Sequence, residues 1–400
     1  MKNSRIAPVM FRPFASLGLF LFVVAAHTSG MEPAISASAD QKKGDTCAVA
    51  DEEAAAAYDF TEFRKLLTAP VDEGRIPCAS AILIHNNRVI FKQAVGLADM
   101  ENNIPFTVDT ICHVGSTTKW ISGATLMAMV DEGKISLDEP AGKYLPRYKD
   151  MLIKGSNLKG NPTIRHCFSG LSGLLGHPNL LRISNTIPLM ESVDWIADNV
   201  PELGHAPGTG FGHISVGMQV AGGVVETAAG KPFQDYMKEK ILDPLGMKDT
   251  TFNPQPAVFK RVSKAYVPED GGFRLIRDIP NGHIQGVNVG GGLYSTLDDC
   301  ARFLLMNLNN GNSGETQVLS PASIHELQRD QTGGVPKTRR GAYHNQLGYA
   351  LGAAIFEVDE QGNPVLLGDG GGYGTFMWMD RTANVVGAYF TPSRARPKSD

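Results

Sequence analysis

The chain has 400 residues, 42% of them hydrophobic, and a formal net charge of −4. That is enough apolar material for a sizeable core in one large domain or two intimate ones, and slight acidity without a basic block excludes nucleic acid as the main partner. Five cysteines with no CxxC spacing point to buried thiols rather than a disulfide scaffold or a zinc site.

At the N-terminus, Lys2, Arg5 and Arg12 precede an apolar run from Phe14 to Ala26, and small residues follow. That order describes a secretory signal peptide, and the run falls short of the ~20 apolar residues that span a bilayer. Residues 1–39 are therefore expected to be a signal peptide with a small-residue segment, which makes the protein secreted or periplasmic. An uncleaved membrane anchor is the alternative, and cleavage near Ala26 or Ala39 fits equally. Residues 40–57 read as a polar, alanine-rich linker into a first helix around Phe60 to Leu67.

"CASAILIHNNRVIFKQAVGLAD" then reads as a hairpin, because alternating apolar residues flank Asn86-Asn87, which tolerate the left-handed turn conformation. Ile121, Ala124, Leu126, Met127 and Val130 at helical spacing predict a helix over 117–131. Further helices are predicted at 163–168, 190–200, 216–229, 233–242, 297–308 and 321–328, punctuated by Gly230 and "DPLGM". Strands return at 349–356, 365–367, 376–379 and 385–389. Strands at both ends with helices between them predict one sheet built from both termini. The expected division is an α/β sheet domain of 58–145 and 285–400 and a mainly helical domain of 146–284.

The chemistry begins at "HVGSTTKW". Ser116 and Lys119 are three residues apart and on a helix would share a face. Free N–H groups in a first turn favour a developing oxyanion. A lysine buried there would have a lowered pKa, so its neutral amine could take the serine proton. The bland reading is that Ser116 to Thr118 cap the helix. A second copy of the spacing, Ser156 to Lys159 in "KGSNLKGNP", lies in a polar, glycine-flanked loop and reads as chance. His166, His177 and His205 lack metal-ligand spacing, so neither a metal nor a cofactor is expected.

From about residue 60 to 390 the chain resembles the serine hydrolases that include class C β-lactamases, D-alanyl-D-alanine peptidases and related carboxylesterases. The stretches that carry the resemblance are "IPCASAILIHNNRVIFKQAVGLAD", "HVGSTTKW", "TIRHCFSGLSGL", "PGTGFGHISVGMQVAGGVVE", "LDPLGMKDTTF" and "GGLYSTLDDCARFLLMN", in that order. The resemblance implies a β-lactamase-like α/β (α+β) fold: an antiparallel sheet flanked by helices, an all-helical region, and an active site in the groove between them. It makes Ser116 the nucleophile and Lys119 its base, with an oxyanion hole from the backbone N–H groups of Ser116 and Gly372.

Two departures accompany the match. Where the family has Tyr-x-Asn, with the tyrosine assisting proton transfer and the asparagine holding substrate, this chain has His213-Ile214-Ser215. Where it has Lys-Thr-Gly or His-x-Gly on an edge strand, this chain has Asp369-Gly370-Gly371. His213 and Asp369 read either as two ordinary loop substitutions or as a linked pair, the carboxylate fixing the imidazole tautomer beside the serine. The family's closing helix has no counterpart in the polar stretch after Tyr389.

The expected activity is hydrolysis of a small-molecule ester or amide through an acyl-Ser intermediate, esterase-like rather than β-lactamase-like because Asp369 would oppose a substrate carboxylate. Ser116, Lys119 and His213 are the expected catalytic residues, and Gly372, Ser215, Asp369 and Gly371 the expected substrate and oxyanion contacts. The rival readings are a catalytically degenerate binding module of the same fold and an acyltransferase using the same acyl-enzyme.

Overall fold

Asn86 and Asn87 have φ of 51° and 61°, the left-handed pair that a two-residue hairpin turn requires. They join β1 (Cys78–His85) to β2 (Arg88–Asp99), as the sequence predicts. The computed structural model describes residues 52–212, 214–278, 286–335 and 346–394. The signal-peptide segment, Cys47 and His213 lie outside these residues.

The hairpin is one half of an eight-stranded sheet. β3 (Ile104–Pro105) follows β2, and the C-terminal part supplies β4 (Gly348–Tyr349), β5 (Ala354–Val358), β6 (Pro364–Gly371), β7 (Thr375–Asp380) and β8 (Val385–Phe390). The strand order is β4-β5-β6-β7-β8-β1-β2-β3, antiparallel throughout. The two ends of the chain meet where Ser80 to His85 pair with Phe390 to Val385.

Several helices match their sequence signals. α1 covers Thr61–Asp72, α2 Thr118–Asp131, α3 Ile164–Ser169, α4 Leu180–Thr186, α5 Leu189–Asn199, α6 Ile214–Ala229, α7 Phe233–Met237, α8 Leu297–Leu308 and α9 Pro321–Gln328. Every residue of α2 from Thr118 to Met129 is buried, as expected of a helix that is apolar all round and sits inside a core. α8 starts at Thr296, whose side chain accepts from the Asp299 N–H, and packs on the inner face of β1 and β8. α2, α6, α8 and inward residues such as Ile82, Leu367 and Met377 share one continuous core.

Three local expectations change, and two elements are new. The predicted strand 349–356 is two strands, because the chain turns at 350–353 beneath α2, where a Cβ on Gly352 would come within 2.3 Å of the Lys119 carbonyl. The predicted strand 365–367 runs on to Gly371, which takes Asp369 out of the glycine-rich turn and into the sheet. The predicted helix 233–242 becomes α7 followed by a π turn over Lys238–Leu242. Helix α4 and a hairpin of Ala265–Glu269 with Gly272–Arg277 were not predicted: Ser184, Asn185 and Thr186 are weak helix formers, and Pro268 interrupts the strand pattern.

The outer face of the sheet is closed in two ways. α1 lies over β1 and β2, where Phe60 and Leu67 join a second apolar cluster with Ala81 and Phe91. Over β6, β7 and β8 the cover is aromatic. Trp378 lies in register between Gly368 and Gly387, and a Cβ on Gly387 would come within 2.3 Å of the indole. Phe376 lies opposite Gly370 and stacks on Trp378 at 6.0 Å. Large rings resting on positions without side chains leave Trp378 only 5% exposed, a cross-strand arrangement that protects backbone a glycine would leave open.

Candidate active site

The nucleophile candidate sits on a turn anchored from several directions. A short strand, Cys112–His113, pairs with Tyr294–Ser295. The Val114 N–H donates to the Leu293 carbonyl at 2.9 Å, and the Val114 carbonyl accepts from Thr117 Oγ1 at 2.9 Å and Thr375 Oγ1 at 2.6 Å. Gly115 takes φ of 57°, a conformation costly for a residue with a Cβ, and a single 3-10 turn over Gly115–Thr117 leads into α2. Thr118 Oγ1 accepts from the Leu293 N–H at 3.1 Å and donates to the Gly115 carbonyl at 2.6 Å. Thr117, the N-cap residue of α2, makes no side-chain cap bond, and the Thr117 and Thr118 hydroxyls are spent on the Val114 and Gly115 carbonyls instead. Ser116 precedes the α-helix proper, on the 3-10 turn.

Lys119 is 6% exposed, and its Nζ donates to the Ser116 carbonyl at 3.4 Å. Burial pushes its pKa below the usual lysine range, and the negative charge of Asp369 partly opposes that shift. Asp369 is fully buried, on β6 opposite Met377. Past it, β6 closes onto the nucleophile turn. A Cβ on Gly371 would lie 2.1 Å from the Val114 carbonyl and 2.2 Å from Thr375 Oγ1, and one on Gly115 would lie 3.1 Å from the Gly372 nitrogen. Only glycine permits this approach. The structure thus brings Ser116, Lys119, Asp369, Gly371 and Gly372 together.

A third segment completes the rim. Ser215 lies in the first turn of α6, and a Cβ on Gly290 would be 3.5 Å from its Oγ. Gly291 approaches the Gly115 carbonyl carbon, at 3.7 Å from an added Cβ. Asn288 shapes this loop: its Oδ1 accepts from the Gly290 N–H at 3.2 Å, and its carbonyl accepts from the Gly291 and Gly292 N–H groups at 3.0 and 2.8 Å. Asn288 is buried and was missed in the sequence, although an asparagine shortly before three glycines is a recognisable loop former.

A model of the Beta-lactamase family matches residues 63–400. The chain belongs to the beta-lactamase family. Esterase EstB of Burkholderia gladioli is 30% identical over 344 residues, covering 77% of this chain and 84% of that protein. The D-alanyl-D-alanine-carboxypeptidase/endopeptidase AmpH of Escherichia coli K12 is 25% identical over 327 residues, 78% of each chain. Among solved structures, EstCE1, a hydrolase with promiscuous acyltransferase activity, superposes with a TM-score of 0.70 at 23% identity, covering 86% of this chain and 94% of its own. The fold is that of the β-lactamases and penicillin-binding proteins, and the protein is a serine hydrolase of that family.

Within this beta-lactamase frame, His213 lies outside the described residues. Ser156 Oγ, in the other Ser-x-x-Lys copy, donates to the Ile153 carbonyl at 3.0 Å in an exposed loop. The described cysteines, Cys78, Cys112, Cys167 and Cys300, are free and buried. Among the described residues, no group of three or more His, Cys, Asp or Glu is placed to hold a metal, and no helix is long and apolar enough to cross a membrane.

Proposed function

We propose that this beta-lactamase-family protein is an esterase that works through an acyl-Ser116 intermediate. The observation that carries the reading is Lys119, buried beside Ser116 with its pKa lowered. The neutral amine takes the Ser116 Oγ proton as the oxygen attacks the substrate carbonyl carbon. The oxyanion accepts from the Ser116 and Gly372 N–H groups. Collapse breaks the ester bond, and the leaving alcohol takes the proton from the Lys119 ammonium. Lys119 then takes a proton from water, and the hydroxide adds to the acyl carbon. Collapse breaks the bond to Ser116 Oγ, which recovers the proton from Lys119 as the carboxylic acid leaves. Among the described residues no hydrogen bond joins Ser116 Oγ to Lys119 Nζ, an arrangement common before substrate binds.

We place the groove between the sheet-bearing segments 58–145 and 285–400 and the mainly helical 146–284. His213 is proposed as a second proton-handling group paired with Asp369; unchanged activity and pH profile in His213→Ala would remove that role. Residues 1–39 are proposed as a cleaved export signal, and N-terminal sequencing of the mature chain checks it.

Esters are favoured over penicillin-like substrates because a carboxylate stands where the family keeps a base. Two like charges ~4 Å apart repel by about 4 kcal/mol at an effective dielectric of about 20. The 30% identity to EstB supports the same choice. The test is labelling by a fluorophosphonate, with kcat/KM for a p-nitrophenyl ester and a cephalosporin. Labelling is expected in the native chain and absent in Ser116→Ala, with the ester turned over far faster. Labelling that survives Ser116→Ala would sink the assignment, and equal turnover of the two substrates would sink the esterase preference.

A further inference from the structure

His113 precedes Ser116 by three residues and Tyr373 directly follows Gly372, so the two flank the groups assigned to acyl transfer. Their rings meet edge to face at 4.9 Å, and His113 meets Tyr294 in the same way at 5.0 Å. Arg277, the last residue of the Gly272–Arg277 strand, enters this stack. Its Nη1 donates to the Tyr294 hydroxyl at 3.2 Å and its Nη2 to the Tyr373 hydroxyl at 3.3 Å. The guanidinium carbon lies 4.9 Å from the Tyr373 ring centre, within the range of a cation–π contact.

Two other arginines show what is unusual here. Arg165 is paired with both Asp138 and Glu326. Among the described residues Arg381 has no acid partner but is held by the Gln328 side chain and by the Asn307 and Leu308 carbonyls. Arg277 has neither: among the described residues its partners are two phenols, and its Nε is buried with no acceptor. In the same cluster, His113 is 7% exposed and its Nδ1 is buried with no partner. Burial first, and the Arg277 charge second, hold this imidazole neutral. With no acid among the described residues, this half-buried guanidinium is held by two phenol oxygens and a ring face and keeps a spare donor at Nε, which a carboxylate would satisfy by stronger, charge-assisted bonds.

We infer that Arg277 is a specificity-determining residue that binds a carboxylate carried by the substrate, so that the favoured substrates are half-esters or other esters with an anionic group away from the scissile bond. Nothing in this conflicts with the case against penicillin-like substrates. That case concerns a carboxylate beside Asp369 on β6, whereas Arg277 lies against Tyr373, two residues past the end of β6. The inference rests on the acyl-Ser116 reading for its kinetics but not for its binding.

The test compares phenyl hexanoate with two anionic esters, the phenyl half-ester of adipate and 4-(hexanoyloxy)benzoate, which carry the carboxylate on the acyl and leaving-group sides. The native chain is expected to prefer one anionic ester. Arg277→Gln should lower the anionic-to-neutral ratio of kcat/KM by about ten- to a hundredfold, mainly through KM, and Arg277→Lys should recover part of it. A ratio unchanged for both anionic esters in Arg277→Gln overturns the proposal, because a merely structural role would lower all three substrates together. A second arm needs no turnover: calorimetric binding of each anionic ester to Ser116→Ala, with and without Arg277→Gln, read on whichever of the two binds more tightly. Weaker binding in the double variant supports the site, and equal binding overturns it. Should the native chain hydrolyse none of the esters, the acyl-enzyme reading falls, while the calorimetric arm still decides Arg277.

Discussion

The chain contains the Ser-x-x-Lys spacing twice, and the two copies end in opposite surroundings. Ser116 and Lys119 join a braced 3-10 turn to the most buried helix of the molecule, with Lys119 almost out of water. Ser156 and Lys159 lie on an exposed loop and the short strand that follows, where Ser156 Oγ accepts from the Leu158 N–H at 3.2 Å and serves the turn itself. Spacing brings a hydroxyl and an amine within reach. It does not make the amine a base; desolvation does.

The largest expected contrast is between the serines. Ser116→Ala should lower kcat/KM for a p-nitrophenyl ester by at least about a thousandfold, and Ser156→Ala should stay within about twofold. Similar losses in the two variants would erase the distinction. Next come the lysines. Lys119→Met should cost roughly a hundred- to ten-thousandfold, the range for loss of a positioned base, while Lys159→Met leaves the steady-state rate near native.

Glycines beside the two copies sharpen the comparison further. Gly371→Ala drives a Cβ against the Val114 carbonyl, which should cost about 1–3 kcal/mol in urea unfolding and lower activity by moving β6 off the nucleophile turn. Gly155 has open space around it but φ of 75°. Gly155→Ala should cost about 1–2 kcal/mol through the backbone alone and leave kcat/KM intact. A Gly371→Ala protein of full activity would show that the close approach of β6 is dispensable.

The subtlest effect is electrostatic. Burial lowers the pKa of Lys119 and the Asp369 charge raises it. With Lys119 as the proposed base, catalysis needs the neutral amine, and activity should rise with pH through the Lys119 pKa. Asp369→Asn removes the opposing charge and lowers that pKa further, so the rise should begin at lower pH. A shift to higher pH in the kcat/KM profile would contradict the assigned base.

Much of this was legible from local signals. The Asn86-Asn87 turn, α8 behind the Thr296 cap, and α9 with Ser320 as its cap and Pro321 in its first turn follow from short-range chemistry that sequence displays. β6 was cut short because Gly368, Asp369, Gly370 and Gly371 have turn preferences. It forms because β5 and β7 supply ladder partners on both sides and aromatic rings from β7 cover its glycines. Ser116, Lys119, Gly371 and Gly372 could be picked out because each lies in a contiguous motif. Asn288 and Arg277 could not, since their places depend on loops from distant parts of the chain meeting at one turn.

The aromatic cover on the sheet has an optical meaning. Of the three tryptophans in the chain, Trp378 rests its indole on Gly387 and faces Gly368, the residue before Asp369. Trp120, the residue after Lys119, is fully buried with its ring edge-on to Phe303. One fluorophore therefore lies against the strand that ends at Gly371, and another adjoins the lysine on the central helix. A slide of β6 against β7 would uncover the first indole and redden its emission, whereas a shift of α2 would act on the second. Single-tryptophan variants would separate the two movements without any added label.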